Sequence, residues 1–284
     1  MEFNSYIGID WSGDKNKYQK GISVAKCEGG NKAPYIILPP KKYWTRTDLI
    51  SWLINEISKE KILVGIDFSF SYPFYDKASY FPGVKDSPIN PHDLWKMIDN
   101  INSNNENFYG GGVWNLNPYK NFYNSPKFKG KQYSSRRRLT EIISKTKKLS
   151  PSPTFNCVGP GAVGTGSLAG MRVLNFLKNK VYIWPFEKLS HKQKSVVVEV
   201  FPSFYFRVAS VKPTKKIGYT LENINLALNF FKSSPLLKEQ IISGPDQDDA
   251  DSIISSAALR FYSRNNEIWK VPKSSQKEGW IFGV

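Results

Sequence analysis

Short apolar runs and one clear helical repeat organise the beginning of the chain. Continuous apolar positions predict strands over 6–10, 21–27, 34–38 and 61–69. Short connections between the first three strands favour antiparallel hairpins. After the third strand, apolar residues recur at helical spacing behind Thr47, which we interpret as the N-cap of a helix. The fourth run is apolar apart from one acid, as expected of a central strand covered on both faces.

The middle of the chain lacks this regularity. Pro, Gly, Asn and aromatic residues dominate there, which predicts a loop-rich insertion over residues 74–157. Regular patterns return as strands over 180–185 and 195–200, and as helices over 167–177, 221–231 and 248–262. These elements predict one α/β domain over residues 1–284, with a mixed five-stranded sheet flanked by helices.

Acidic residues interrupt three of the apolar strands, namely Asp10, Asp67 and Glu199. An ionised carboxylate in such a place is costly unless it is paired or bound to a cation. No Lys or Arg lies within two residues of Asp10 or Asp67. Each acid could alternatively form an ion pair with a basic residue that is distant in the sequence. This alternative is less plausible for three strands, each with its own acid, than for a single acid.

The last predicted helix begins with four acids, Asp246, Asp248, Asp249 and Asp251. Acids in a first turn also cap free amides and suit the helix dipole, which explains one or two of them without any further function. Asp248 and Asp251 share one face of the helix. Small residues that follow would let the helix pack closely on the sheet and bring these acids toward Asp10 and Asp67: Ser252, Ser255, Ser256, Ala257 and Ala258.

The residue composition narrows the chemistry of such an acidic site. With two cysteines and two histidines, the chain excludes a disulfide scaffold, a Cys-ligated zinc site and a His-rich metal site. Oxygen ligands alone select Mg²⁺ or Mn²⁺. Two such ions about 4 Å apart would activate a water and stabilise the leaving oxygen of a phosphodiester. We interpret Asp10 as bridging both ions, Asp67 and Asp251 as completing the two sites, and Asp248 or Glu199 as auxiliary; all five are candidate catalytic residues.

A net charge of +16 favours polyanionic partners, and a lysine-rich proteome is the alternative source of this excess. Residues 107–150 carry ten basic side chains against one acid, interleaved with eight aromatic residues. Bases would hold phosphates and aromatics would stack on unpaired nucleobases. Alternatively, the aromatics form a small satellite core with solvated bases around it. The candidate nucleic-acid-binding residues are Lys120, Lys127, Lys129, Lys131, Arg136, Arg137 and Arg138.

Other chemical signals are weaker. The run 159–164 matches G-x-G-x-x-G but follows no strong strand, so we interpret it as a loop before a helix N-terminus that could contact a phosphate. His92 and His191 are expected at the surface, and Cys157 is expected to be a buried small residue.

Four motifs together are similar to the DUF429 family: GIDWSG over 8–13, GIDFSFSYP over 65–73, VEVFPS over 198–203 and DQDDADSIISSAA over 246–258. That resemblance implies a ribonuclease H-like fold and nuclease activity. It places Asp10 on the first-strand aspartate of such enzymes, Asp67 on the fourth-strand acid, and Asp248 and Asp251 on the acids of the last helix.

Two other functions stay open. GIDWSG also suits the phosphate loop of an actin-like or sugar-kinase-type ATP-binding protein, although no second copy of the domain is evident. A non-catalytic nucleic-acid-binding module with structural acids is the other alternative. No apolar run is long enough to span a membrane, and the N-terminal residues lack a basic segment, so a cytoplasmic protein is expected. The sequence leaves open whether DNA or RNA is the partner.

Overall fold

A computed structural model describes residues 2–146, 149, 151–187, 194–211, 219–237 and 247–284. Over these residues the chain forms α/β structure around a mixed six-stranded sheet. The strands are β1 (Ser5–Asp10), β2 (Ser23–Glu28), β3 (Tyr35–Ile36), β4 (Ile62–Ile66), β5 (Tyr182–Ile183) and β6 (Val196–Glu199). Their order across the sheet is β3-β2-β1-β4-β6-β5. β2 is antiparallel to β1 and β3, whereas β4, β6 and β5 run parallel to β1.

Helices cover both faces of this sheet. Buried apolar residues of α1, α2 and α4 pack on one face, and those of α5, α6 and α7 pack on the other. None of the helices in the described residues is both long and apolar enough to cross a membrane. The helices are α1 (Arg46–Lys59), α2 (Pro91–Ile101), α3 (Leu139–Thr146), α4 (Gly164–Leu177), α5 (Pro202–Val208), α6 (Leu221–Phe230), α7 (Gln247–Ser263) and α8 (Ser275–Glu278).

β1 and β4 lie side by side in the middle of the sheet because both strands are apolar on both faces. Ile7 and Ile9 of β1 point to the face covered by α1, while Tyr6 points to the opposite face. Their register pairs Gly8 with Gly65 and Ile9 with Ile66. The two strands therefore end at the same level on the same edge of the sheet.

Two details of the sequence prediction are wrong. The sheet has six strands rather than five, because the strand predicted over 180–185 is present as Tyr182–Ile183 and joins the sheet at its edge beside β6. The N-cap of α1 is Thr45 rather than Thr47, since the Thr45 hydroxyl accepts a hydrogen bond of 3.0 Å from the Asp48 amide.

The segment predicted to be loop-rich contains the well-formed helix α2. Asn90 caps it by accepting from the Asp93 amide at 2.9 Å, and Pro91 occupies its first turn. Leu94, Trp95 and Ile98 at helical spacing bury its inner face against the core beside α4. Capping residue, proline and spacing were all present in the sequence, but the surrounding Pro and Asn residues obscured them.

Helix α7 approaches the sheet closely where it crosses Gly8 of β1. A Cβ atom placed on Gly8 would lie 2.3 Å from the carbonyl oxygen of Ser252 and 2.7 Å from the amide nitrogen of Ser256. Ser252, Ser255 and Ser256 on the facing side of α7 are buried. Glycine on the strand and small residues on the helix therefore bring the two backbones together.

We expect Gly8→Ala to lower the free energy of unfolding by roughly 3 kcal/mol, because the added methyl must push α7 away from β1. Urea unfolding followed by circular dichroism measures this change. Gly29→Ala is the matched control, since a Cβ there would meet only the Asn4 carbonyl oxygen, at 3.8 Å. Equal stability of the Gly8→Ala protein and the control would contradict the close packing of α7.

Candidate functional site

Two of the predicted acids lie at the shared edge of β1 and β4. Asp10 is the last residue of β1, and Asp67 directly follows β4. The Asp67 amide donates a 3.0 Å hydrogen bond to the carbonyl of Ile9, so the ladder between the two strands continues up to both acids. Parallel neighbouring strands thus bring two acids together that are distant in the sequence.

The first turn of α7 adds further acids from above the sheet. Asp249 docks the turn, because its carboxylate accepts a 2.6 Å hydrogen bond from the hydroxyl of Ser23 on β2. Ser23 pairs with Asp10 across the two strands. Asp248 and Asp251 lie close enough to Asp10 for their charges to raise its pKa. Asp246 and His191 lie outside the described residues.

Asp10, Asp67, Asp248 and Asp251 line one cleft of about 530 Å³. The loop after β1 forms one wall, and the loop before α4 together with the first turn of α4 forms another. These walls meet where Gly13 packs against the backbone of Thr165 and Gly166, and the Trp11 indole donates to the Gly166 carbonyl at 3.0 Å. The glycine-rich run 159–164, predicted as a loop before a helix N-terminus, therefore borders the acids.

The cleft strongly disfavours ionised carboxylates. Burial raises the pKa of Asp10 well above its ordinary value, and the charges of Asp251, Asp67 and Asp248 raise it further. Burial and then the charge of Glu199 raise the pKa of Asp67 to about 7. The pKa of Asp251 is also raised well above its ordinary value, by burial and then by Asp67 and Asp248. No Lys, Arg or His is among the described residues that line the cleft.

One carboxylate oxygen in this cleft has no partner among the described residues. Asp251 is nine-tenths buried, and its Oδ1 atom makes no hydrogen bond to any of them, although a side-chain hydrogen bond links the carboxyl group to Gln247. Such a buried oxygen among like charges is unfavourable, and a bound cation would satisfy it. The donor set consists of carboxylate oxygens, which fits Mg²⁺ or Mn²⁺.

The acids are not yet gathered around a single point. Among the residues that the structure describes, no group of three or more His, Cys, Asp or Glu side chains is arranged to hold one metal ion. The carboxyl groups of Asp10 and Asp248 instead lie close to each other, and this proximity contributes to the raised pKa of Asp10. A bound cation would let both carboxylates ionise.

Sequence reasoning missed Tyr219, which precedes α6. Burial raises the pKa of this phenol, and the charges of Asp251, Asp10 and Asp248 raise it further, so it lies near the same acids. No periodic pattern marked it, since its proximity to these acids depends on the tertiary fold.

Glu199 does not belong to the cleft, which corrects its interpretation as a catalytic acid. Its two oxygens accept hydrogen bonds of 2.5 and 2.7 Å from the Arg138 guanidinium, and one also accepts from the Phe70 amide at 3.0 Å. Arg138 also pairs with Glu141 at 2.7 Å. Glu199 therefore pairs with a basic residue that is distant in the sequence, which is the alternative that the sequence left open for the strand acids.

The prediction that Arg136 and Arg138 bind nucleic acid is wrong. Arg138 is 1% exposed within its ion pairs, and Arg136 is buried with its guanidinium on Asp76 and on backbone carbonyls. Arg137 is half-buried and donates to the Pro151 carbonyl. Lys127, Lys129 and Lys131 are exposed and Lys120 is half-buried, so their assignment to nucleic acid stays a prediction. Lys147 and Lys148 of the basic run lie outside the described residues.

Most aromatic residues of the predicted insertion form a core rather than a stacking surface. Trp114, Phe122 and Tyr123 are buried, and the rings of Phe122 and Tyr123 contact Phe81 and Phe155. This cluster is continuous with the apolar residues beneath the sheet. These rings therefore form a core, as the alternative interpretation of the sequence predicted. Among the eight aromatic residues of 107–150, Phe128 is exposed.

The remaining candidates do not form a second site. His92 is partly exposed, with its Nε2 atom 4.0 Å from a carboxylate oxygen of Glu187. Cys157 is buried as predicted, and burial raises the pKa of its thiol to about 12, which disfavours a nucleophilic thiolate.

Comparisons of the chain with protein-family models, curated proteins and solved structures found no match. The resemblance to the DUF429 family therefore stays a prediction.

We expect Asp251→Asn to stabilise the metal-free protein at pH 8 by at least about 1 kcal/mol, the value of one pKa unit, because it removes a charge that the cleft disfavours. Acids whose pKa is raised by folding make the native state bind more protons, so stability falls as pH rises from about 4 toward 7. The advantage of the variant should therefore disappear near pH 4. Urea unfolding in EDTA at both pH values measures it. An advantage that is equal at both pH values would contradict the electrostatic cause.

We expect Arg138→Met to lower the free energy of unfolding by about 3–5 kcal/mol, since it leaves two carboxylates buried without their partner. Lys127→Met is the matched control on an exposed basic residue of the same segment, with an expected change within about 0.5 kcal/mol. Thermal and urea unfolding of both variants test this. Similar stabilities would show that Arg138 is not the counter-ion of Glu199 and Glu141.

Proposed function

We propose that the protein is a divalent-metal-dependent nuclease that hydrolyses phosphodiester bonds of nucleic acid on a ribonuclease H-like fold. The proposal depends mainly on one observation: four aspartates, at the end of β1, directly after β4 and in the first turn of α7, line one cleft. No described residue that lines the cleft is basic, and one carboxylate oxygen, Oδ1 of Asp251, has no partner among the described residues. Such an arrangement is unstable by itself and is relieved by cations.

The positions of the acids support this function more strongly than their number does. Asp10 interacts with Asp67 on one side and with Asp248 and Asp251 on the other, which suits a ligand shared by two ions. Asp67 and the Asp251 carboxylate would complete the two ligand sets. The DUF429 resemblance likewise places these acids on the first strand, the fourth strand and the last helix of the ribonuclease H-like fold.

The bound ions would supply an activated water and charge stabilisation of the leaving oxygen. The protein's own residues hold the carboxylates in place: Ser23 fixes the first turn of α7 through Asp249, and the hydrogen bond from the Asp67 amide to Ile9 fixes the segment after β4. Glu199 and Arg138 hold the following residues through the Phe70 amide and the Ser69 hydroxyl. Catalytic groups that are held in place need no rearrangement during the reaction.

Cleavage of fluorescently labelled single- and double-stranded DNA and RNA tests the proposal. In Mg²⁺ or Mn²⁺ we expect cleavage of at least one substrate and none in EDTA. Asp10→Asn and Asp251→Asn should each reduce the rate at least about a hundredfold, because each removes a charged metal ligand. Asp86→Asn, at an exposed aspartate that does not line the cleft, is the matched control and should retain the rate.

Three results would overturn this function. Cleavage that persists in both cleft variants would place the active site elsewhere. Binding of nucleic acid without cleavage in Mn²⁺ would favour the non-catalytic module. Hydrolysis of ATP without nucleic acid would favour the ATP-binding alternative.

A further inference from the structure

A second open cavity, of about 800 Å³, lies beside the acidic cleft. Two loops form it, one between β1 and β2 and one between β3 and α1. Four lysines and two tyrosines supply most of its lining: Lys17, Tyr18, Lys20, Lys41, Lys42 and Tyr43. We call these six residues the lysine groove.

The base of the lysine groove is well fixed. The Gln19 amide donates to the Trp44 carbonyl at 2.8 Å, which joins the two loops in an isolated antiparallel bridge. The buried guanidinium of Arg46 donates to the carbonyls of Ser12 and Asp14 and to the side chain of Gln19. The lysines therefore project from a preformed backbone, which reduces the ordering cost of binding a ligand.

The charge of the groove has no internal balance. All four lysines are exposed, and none forms an ion pair with a described residue. Asp14 is the one acid among the described lining residues, and its carboxylate accepts hydrogen bonds of 2.7 and 2.8 Å from Asn16. A surface of this kind attracts a polyanion.

The tyrosines give the groove a second property. Tyr18 is 43% exposed, with the ammonium of Lys41 6.0 Å from its ring centroid. The Lys42 ammonium lies 5.4 Å from the ring centroid of Tyr43. A lysine beside an exposed aromatic ring, such as Lys41 beside Tyr18, suits a chain with both phosphates and unpaired bases, since the ring stacks on the base while the ammonium contacts the phosphate.

The groove continues into the acidic cleft. Asp14 lines both cavities. Lys20 is followed by Gly21, on which a Cβ atom would lie 3.6 Å from an oxygen of Asp248. A strand held by the lysines would therefore lead directly to the carboxylates.

We propose that the lysine groove binds a single-stranded segment of nucleic acid and directs it into the acidic cleft. The lysines contact consecutive phosphates, and Tyr18 stacks on an unpaired base. The delivery to the cleft rests on the proposed nuclease function, whereas the binding itself does not depend on it.

Binding is measured in EDTA, where no metal-dependent cleavage occurs, by fluorescence anisotropy of a labelled single strand of about 12 nucleotides, as DNA and as RNA. The test variant replaces Lys17, Lys20, Lys41 and Lys42 with Gln. We expect at least tenfold weaker binding and a plot of log affinity against log salt whose slope is reduced by about 3, the value for four contacts on a single strand. The matched control carries the same four-charge change at Lys77, Lys85, Lys96 and Lys180, which are exposed and line neither cavity, and it should keep both the affinity and the slope.

Tyr18→Ala separates stacking from charge. We expect about tenfold weaker binding of the single strand and unchanged binding of a duplex of the same sequence. Thermal unfolding confirms that the variants are folded, since all the altered side chains of the groove lie at the surface.

Equal losses in the groove variant and the control would overturn the proposal, as would tighter binding of the duplex or of a poly-glutamate peptide than of the single strand. Cleavage assays keep the two proposals apart. Groove-dependent binding without any cleavage in Mg²⁺ or Mn²⁺ would support the groove and overturn the nuclease. Cleavage of single strands at an unchanged rate by the groove variant would support the nuclease and overturn the delivery of the strand by the groove.

Discussion

The contact between the backbone of α7 and Gly8 of β1 is the constraint on which the site depends. It is held by apolar burial along the rest of α7, where Ile254, Ala257 and Leu259 are fully buried against the sheet. The favourable burial lies in the middle of the helix, while the repulsion among carboxylates lies at its first turn. One rigid helix connects the two, so the stability of the core holds acids together that would otherwise separate.

The framework of this arrangement could be predicted from local patterns. β1 and β4 are short apolar runs ending on or beside an acid, and α7 combines an acidic first turn with small residues at close spacing. Asp10 and Asp67 were expected to share a metal site, and the parallel pairing of β1 with β4 brings them together because both strands end at one edge. Hydrophobic periodicity determines which residues face the core, and for these three elements that was sufficient to bring the acids together.

The partner of a buried charge could not be predicted in the same way. Asp67 and Glu199 follow the same local pattern, an acid at the end of an apolar strand, yet only Asp67 lines the cleft. Glu199 differs because Arg138, 61 residues earlier in the chain, reaches its carboxylate. Charge counting along the sequence had assigned Arg138 to the surface. A local pattern identifies a carboxylate that needs a partner, but only the tertiary fold determines whether that partner is a guanidinium or a bound cation.

The partner of each basic residue also determines which positive charges can attract the proposed substrate. An acidic cleft repels the phosphates of its proposed substrate, so attraction must come from beyond the carboxylates but within the reach of electrostatic forces, about 8 Å at physiological salt. The buried arginines of the middle segment cannot supply it, because carboxylates and carbonyls already neutralise them. Lys20 can, because its neighbour Gly21 lies against Asp248. A substrate held there would have its backbone fixed before it met the carboxylates, and cations bound in the cleft would then have only the local repulsion to overcome.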